Sequence, residues 1–325
     1  MIRFYASMLA MLLSVAVVAQ STGIEWQQPI GGNLADYLSK SLVSGDGNFI
    51  FAGSCNRSGT GNDIRVSKVS PNGTVIWTKY LGGSASEGFL DFTGTADGGF
   101  IVTATTLSGD GDVVGFHGPA SGSNYDIWIV KLSSSGAIQW QRCIGGTGTE
   151  TFKQTLVHPD GSVAVLGITL SSNGDFMFPG SFLIKLNANG NLLFNASLGS
   201  DRTSVSKMIL KPNGNLLVIG DNILQGNHGM RDLSVWEVNT AGGFVSGSSY
   251  GSLGGSLDEF STDVLQTGAS QFTVLATTAS TNVTGAHGGN DLWLITYNNS
   301  GTILWQKALG GSGTEGASSL YFNAA

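Results

Sequence analysis

The 325-residue sequence predicts an all-β chain built from one repeated unit, and three observations predict it. Short β-branched and aromatic runs recur along its length, with no sustained 3.6-residue apolar period to compete with them. Turn dipeptides punctuate these runs: Asp46-Gly47, Asp97-Gly98, Asp160-Gly161 and Asn213-Gly214 join a first run to a second, while Asn72-Gly73, Ser135-Gly136 and Asn189-Gly190 join a third to a fourth. A segment ending in a glycine pair returns six times, its pairs starting at residues 31, 82, 145, 199 (Gly-Ser), 254 and 310, with spacings of 51, 63, 54, 55 and 56. Four short antiparallel strands repeated at that interval form the blade of a β-propeller. The expected fold is therefore a β-propeller of four-stranded antiparallel blades, with five complete repeats and an incomplete sixth blade. That sixth blade would hold an outer strand around Trp26 and an inner strand over 318–325.

The second repeat shows the elements in order. Gly88 to Thr95 reads as a first strand, Asp97-Gly98-Gly99 as a turn, and Phe100 to Ala104 as a second strand. After a loop, Asp126 to Leu132 is the third strand, and Ser135-Gly136 turns into a fourth around Trp140. Trp26, Trp77, Trp140 and Trp305 occupy one strand position in successive copies, which assigns them to packing between blades; Leu192-Leu193-Phe194 and Phe244-Val245 are degraded copies of the same strand. Trp128 and Trp293 share another repeated position, so a sugar-stacking role is the weaker reading for them.

Composition bounds the rest. With 49 glycines but only 6 prolines, no glycine at every third place, and 11% charged residues against about 25% in an average domain, the chain is neither collagen-like nor a charge-rich disordered one. Its net charge of −7 and scattered Lys and Arg argue against nucleic acid as a partner. Met1-Ile2-Arg3, the apolar run Phe4 to Ala19 and the small-residue site Val17-Val18-Ala19 read as a signal peptide over 1–19. That run is shorter than the roughly 20 residues needed to span a bilayer, so no membrane span is expected. A single propeller domain then covers 20–325, with repeats at about 33–83, 84–146, 147–200, 201–255 and 256–311 and a terminal strand over 312–325. Cys55 and Cys143 fall in different repeats; an exported location permits a bridge, but the plainer reading is two small buried residues.

In an antiparallel blade, the loop between strands two and three shares a face with the link to the next blade. Length varies in those loops, Ser54–Asp63, Ser108–Asp126, Ser171–Ser181, Asp221–Asp232 and Ser280–Asp291, which makes that face the expected binding face. Asp63, Asp126, Asp232 and Asp291 begin third strands, while Asp36, Glu87, Glu150, Glu259 and Glu315 follow the glycine pairs at equal distance. Recurrence in blade after blade favours turn-locking hydrogen bonds over a ring of carboxylates that attracts a hard cation. Asp110 and Asp112, with Asn124 and Asp126 beyond, form the densest oxygen cluster and are the candidate calcium ligands; no other cofactor is implied. His117, His228 and His287 precede third strands, and their spacing to Asp126, Asp232 and Asp291 suggests imidazole–carboxylate bonds on the binding face. Gly247-Ser248-Ser249-Tyr250-Gly251 and Gly311-Ser312-Gly313-Thr314-Glu315-Gly316 match a nucleophile elbow and a dinucleotide fingerprint by letters alone, without the helix that either needs, so no catalytic residue is assigned.

Glu87, Asp97-Gly98-Gly99-Phe100-Ile101-Val102, Asp110-Gly111-Asp112-Val113, His117-Gly118, Asp126, Trp128, Lys131-Leu132 and Trp140-Gln141-Arg142 resemble, in order, the repeats of secreted and surface proteins of Gram-negative bacteria that use type IX secretion. The resemblance implies an exported propeller, and a typical member continues into a small C-terminal sorting domain. Here the sequence stops at Ser318-Ser319-Leu320-Tyr321-Phe322-Asn323-Ala324-Ala325, so either a truncated reading frame or an unclosed ring is expected. A more distant likeness to quinoprotein propellers lacks their adjacent cysteine pair. The functional expectation is an extracellular, non-catalytic scaffold that binds a glycan or protein at the cell surface. The alternatives are a polysaccharide lyase or hydrolase on the loop face and a purely structural repeat module.

Overall fold

A computed structural model of the chain describes residues 23–57, 59, 61–118, 124–200, 203–223, 230–245 and 253–321; the expected signal peptide lies outside them. Among the described residues there is no helix, and the strands form five antiparallel sheets, the blades of a β-propeller. The first blade is β1 (Asp36–Val43), β2 (Phe49–Arg57), β3 (Gly61–Val69) and β4 (Val75–Leu81). The second is β5 (Glu87–Gly94), β6 (Phe100–Thr106), β7 (Asp126–Leu132) and β8 (Ile138–Ile144). The third is β9 (Glu150–Val157), β10 (Val163–Thr169), β11 (Gly180–Leu186) and β12 (Leu192–Gly199). In the fourth, β13 (Thr203–Leu210), β14 (Leu216–Asn222) and β15 (Asp232–Val238) pair, and two isolated bridges, Val238–Phe244 and Leu233–Leu253, mark the position of a fourth strand. The fifth is β16 (Glu259–Gly268), β17 (Gln271–Thr278), β18 (Asp291–Asn298) and β19 (Ile303–Leu309). Strands in each blade follow chain order, and the inner strands lie against one another in the succession β1, β5, β9, β13, β16.

Apolar residues on both faces of a blade can be kept from water only by a neighbour on each side. The buried residues accordingly fall into four clusters, one per junction: Ile50, Val66, Phe92 and Val130 between blades one and two, Ile129 and Ile184 between two and three, Leu183 and Val218 between three and four, and Ile219 and Val274 between four and five. Among the described residues no cluster joins blade five to blade one. The two strands expected for a sixth blade are a correction among the described residues: 23–35 and 310–321 lie in no strand, and residues 322–325 of the expected inner strand lie outside them. In a meander ordered one to four, the first and fourth strands pair only with the second and third, so two flanking segments without a middle have no ladder to join.

Tryptophan clamps successive blades. The Trp26, Trp77 and Trp140 rings cover the turn glycines Gly73, Gly136 and Gly190, all at positive φ, where a Cβ would stand 2.8, 3.1 and 2.7 Å from ring atoms. Each indole N–H donates to a carbonyl two residues before that glycine: Pro71, Ser134 and Ala188, at 2.8, 3.3 and 2.8 Å. Phe194 covers Gly242 in the same way without the bond. Trp305 departs from the expected packing: it is 49% exposed, because among the described residues no turn lies beneath it.

The same rim is also pinned by charge, within each blade. Lys68 and Lys131, near the ends of third strands, are buried and bond Asp46 and Asp97 in the tight turns at 2.6 and 2.8 Å. The fourth blade reverses the polarity: Glu237 stands at the lysine position and Lys211 in the turn, 2.6 Å apart with both side chains buried. Truncating one partner of a buried pair costs about 3–5 kcal/mol, whereas the more exposed Lys40–Asp91 pair is worth about 1 kcal/mol or less. Glu237→Lys alone should therefore lower the urea midpoint strongly. Adding Lys211→Ser and Asn213→Asp, which imports the arrangement of blade one, should recover most of the loss; a triple variant no more stable than the single one would refute this reading of the rim.

Candidate functional site

The face carrying the long loops is built from a motif that joins each blade to the link entering it. Thr106, Thr169 and Thr278 end second strands and donate to Glu87, Glu150 and Glu259, which begin the first strand of the same blade, at 2.8, 2.8 and 2.7 Å. Two residues on, the hydroxyls of Ser108, Ser171 and Ser280 accept the backbone N–H groups of Ala85, Gly148 and Leu257 in the blade links, at 3.0, 2.9 and 2.8 Å. Two further on, Asp110, Asn173 and Asn282 accept those of Ser84, Thr147 and Ser256, at 2.7, 2.8 and 2.9 Å. Thr-x-Ser-x-Asp/Asn thus ties each loop to the chain link entering its own blade.

This places the expected calcium ligands. Asp110 is a link anchor whose carboxyl sits below its usual range because it accepts from Ser84, and asparagine fills the same place in two other blades. An oxygen, not a charge, is what the position requires. Asp112 faces Lys79 at 3.9 Å, and its counterpart Asp175 takes Arg142 and the Gly145 N–H at 2.9 and 3.1 Å. Asn124, the third member of the cluster, bonds Thr147 and Thr149. Among the described residues no three His, Cys, Asp or Glu side chains converge as a metal site.

The recurrent acids are brought together in pairs across repeats. Asp63 Oδ1 and Glu87 Oε2 both lie within 2.6 Å of where a Cβ on Gly82 would stand; Asp232 and Glu259 meet over Gly254, and Asp291 and Glu315 over Gly310, in the same way. Asp126 covers Gly145. Gly82, Gly145, Gly254 and Gly310 are thus required because carboxylate oxygens occupy the space of a side chain, whereas at Gly199 the Thr203 side chain takes that space. Asp63, Asp126, Asp232, Asp291, Glu87, Glu150 and Glu259 are all buried, so they do not form the open ring at a channel mouth that the sequence allowed.

Burial sets the titration of four of them. It raises Glu87, Asp126 and Glu259 and carries Glu150 to about 7, with the Asp126 charge adding to the rise and the Ser171 and Thr169 bonds opposing it. Asp126 Oδ2 accepts both the backbone N–H and the ring Nδ1 of His117, at 2.9 and 2.8 Å. His287 gives Asp291 its backbone N–H at 2.6 Å, whereas His228 lies outside the described residues, as do residues 247–251 of the elbow match. Residues 311–316 of the fingerprint match form the link to Glu315, whose Oε2 accepts the Gly311 N–H at 3.4 Å. Cys55 and Cys143 are free and buried, and burial pushes the Cys55 thiol up to about 11 and raises Cys143 as well.

Sequence reasoning weighed polar residues and passed over the apolar ones in the same loops. Val114, Tyr125, Leu170, Met177, Phe178 and Met230 are exposed there, Met177 at 79% and Phe178 at 74%. Phe178 also borders an open cleft of about 610 Å³, with Trp236 and Phe244, between the third and fourth blades. The signal was present in Met177-Phe178-Pro179, an apolar run where turn residues belong.

No known family description matches the sequence, and no curated protein matches it. Solved structures of similar shape include a protein of unknown function from Bacteroides caccae, 14% identical over 87% of this chain and 85% of that one, with a TM-score of 0.41. A Synechocystis apocarotenoid oxygenase variant is 11% identical over 82% of this chain and 59% of its own, at 0.43. A eukaryotic initiation factor is 10% identical over 83% and 64%, at 0.40.

A carboxyl raised by folding binds its proton more tightly in the native chain, so the native state is favoured at low pH and loses that advantage as the group ionises. Between the ordinary glutamate value of 4.5 and about 7, rising pH should lower the melting temperature through Glu150, with the Glu150 contribution levelling off above that window. Glu150→Gln should flatten the slope; an unchanged slope would show that the link carboxyls do not carry it.

Proposed function

We propose that this chain is an exported, non-catalytic β-propeller whose loop face binds a partner at the cell surface, and that the partner is a protein. The observation that supports this most is the division of labour on that face. Its recurrent carboxyls are buried in bonds that hold the blade links, while its exposed tips are apolar: Val114, Leu170, Met177, Phe178 and Met230. Large apolar side chains presented together on one face of a rigid scaffold favour a protein contact over a sugar one. Glycosidase chemistry needs two accessible carboxyls about 5–10 Å apart, one protonated and one not; the pairs here are closed over glycine. Export rests on the leader pattern of residues 1–19, and no helix among the described residues is long and apolar enough to cross a membrane.

Labelled chain should be retained on the surface of the cells that export it and stay silent on a glycan array. The double variant Met177→Ser, Phe178→Ser should cut retention about tenfold or more without shifting the melting temperature, since both side chains are exposed. Glycan binding, or polysaccharide cleavage abolished by Glu150→Gln, would replace this reading with the carbohydrate one.

A further inference from the structure

Among the described residues no strand pairing and no buried cluster joins blade five to blade one, and the two walls of that junction are unlike a finished surface. On blade one, Trp26, Tyr37, Leu38 and Phe51 line a largely apolar cavity of about 280 Å³; on blade five, Leu265, Leu294, Trp305 and Tyr321 line one of about 360 Å³. The flanking segments 24–30 and 315–321 lie along these walls without a ladder. Residues 315–321 occupy the place of a first strand: the Glu315 N–H donates to Asn290 at 2.7 Å, as Glu150 does to Tyr125 and Glu259 to Arg231. Leu320 donates to Asp263 of the neighbouring inner strand at 2.9 Å.

Two bonding positions there are unfilled among the described residues. Glu87, Glu150 and Glu259 receive a threonine hydroxyl from the second strand of their own blade; Glu315 receives none and is half-exposed where the others are buried. Trp305 has no turn carbonyl or glycine beneath it, unlike Trp77 and Trp140. What would satisfy both is specific: a strand ending in Thr-x-Ser beside 315–321, and an antiparallel strand running on into a turn beneath Trp305. A folded second copy cannot supply the first, because Thr106, Thr169 and Thr278 are bound within their own blades.

We propose that the slot binds a β-hairpin of this same repeat type, supplied from outside residues 1–325, which adds the second and third strands of a sixth blade. Its first strand pairs with 315–321 and gives Glu315 a hydroxyl; its second pairs with 24–30. Backbone pairing supplies affinity, and the Thr-x-Ser end and the Trp305 socket set the register.

A peptide copying residues 271–301 is a suitable probe, since it carries Thr278, Ser280 and a Ser300-Gly301 turn. Added to the full chain, it should saturate at one per chain, slow hydrogen exchange of the 315–321 amides by about tenfold or more, and change a fluorescence signal that Trp305→Phe removes. Thr278→Val with Ser280→Ala in the peptide should weaken binding about tenfold, the size of one lost charge-assisted bond. Unaltered exchange at 315–321 under excess peptide, equal binding of a scrambled peptide, or self-association that protects both walls without peptide would each overturn the proposal.

Discussion

Each blade of this chain is a thin sheet with apolar side chains on both faces, and nearly everything else in the structure answers that condition. Ile50 and Val66 face one way from the first blade while Phe49 and Phe51 face the other, so burying one side leaves the second in need of a neighbour. Stacking solves this for four junctions. It cannot solve it for the outer faces of the first and last blades, and there Tyr37, Leu38 and Trp305 meet solvent. The exposure of Trp305 follows from topology, since its ring belongs over the turn of a blade that would come next.

Polar groups at the two rims fix the chain by different means, within each blade on one rim and between blades on the other. On the hairpin rim the means is charge: a buried lysine and a turn carboxylate, or the reversed Glu237–Lys211 pair, for which sign matters less than mutual satisfaction. On the loop rim it is close approach. A carboxyl can fill the Cβ space of Gly82 or Gly254 only because glycine leaves it empty, and two acids over one glycine raise the cost of ionising both. A repeat that keeps most of its acids buried and its glycines bare spends them on geometry, which explains why so many recur.

Much of this was legible in the sequence, because turns and strands are local. Asn72-Gly73, the Trp77 position and the short apolar run of β7 announce themselves within a few residues. The pairing of Asp63 with Glu87 was not legible, since they lie in different repeats and meet only when one blade stacks on the next. Nor were the bulges visible: every inner strand skips register at Ser39, Leu90, Lys153, Ser206 or Thr262, three residues after its first. No side-chain pattern records a backbone step that adds twist. The strands expected near Trp26 and Tyr321 failed for a related reason, as strand propensity is expressed only where a ladder partner exists. His117 and Asp126 could be matched because they share one loop, whereas the exposed Met177 and Phe178 were passed over because a search for chemistry looks for polar atoms.

The loop face and the open junction are separable surfaces, and the blade links explain why. Each loop is tied by its Thr-x-Ser-x-Asp/Asn run to the link entering its own blade, so the position of Phe178 is fixed by Ser171 and Asn173 within the third blade. From there to the seam, every route passes through packed junctions: blades two and one on one side, blades four and five on the other. Interactions so far apart, with no shared partner, contribute to stability nearly additively. Filling the seam would raise the stability of the whole ring through linkage, yet it would leave the shape of the loop face as it stands. A propeller built in this way can therefore acquire or lose a closing hairpin without changing the shape of its loop face.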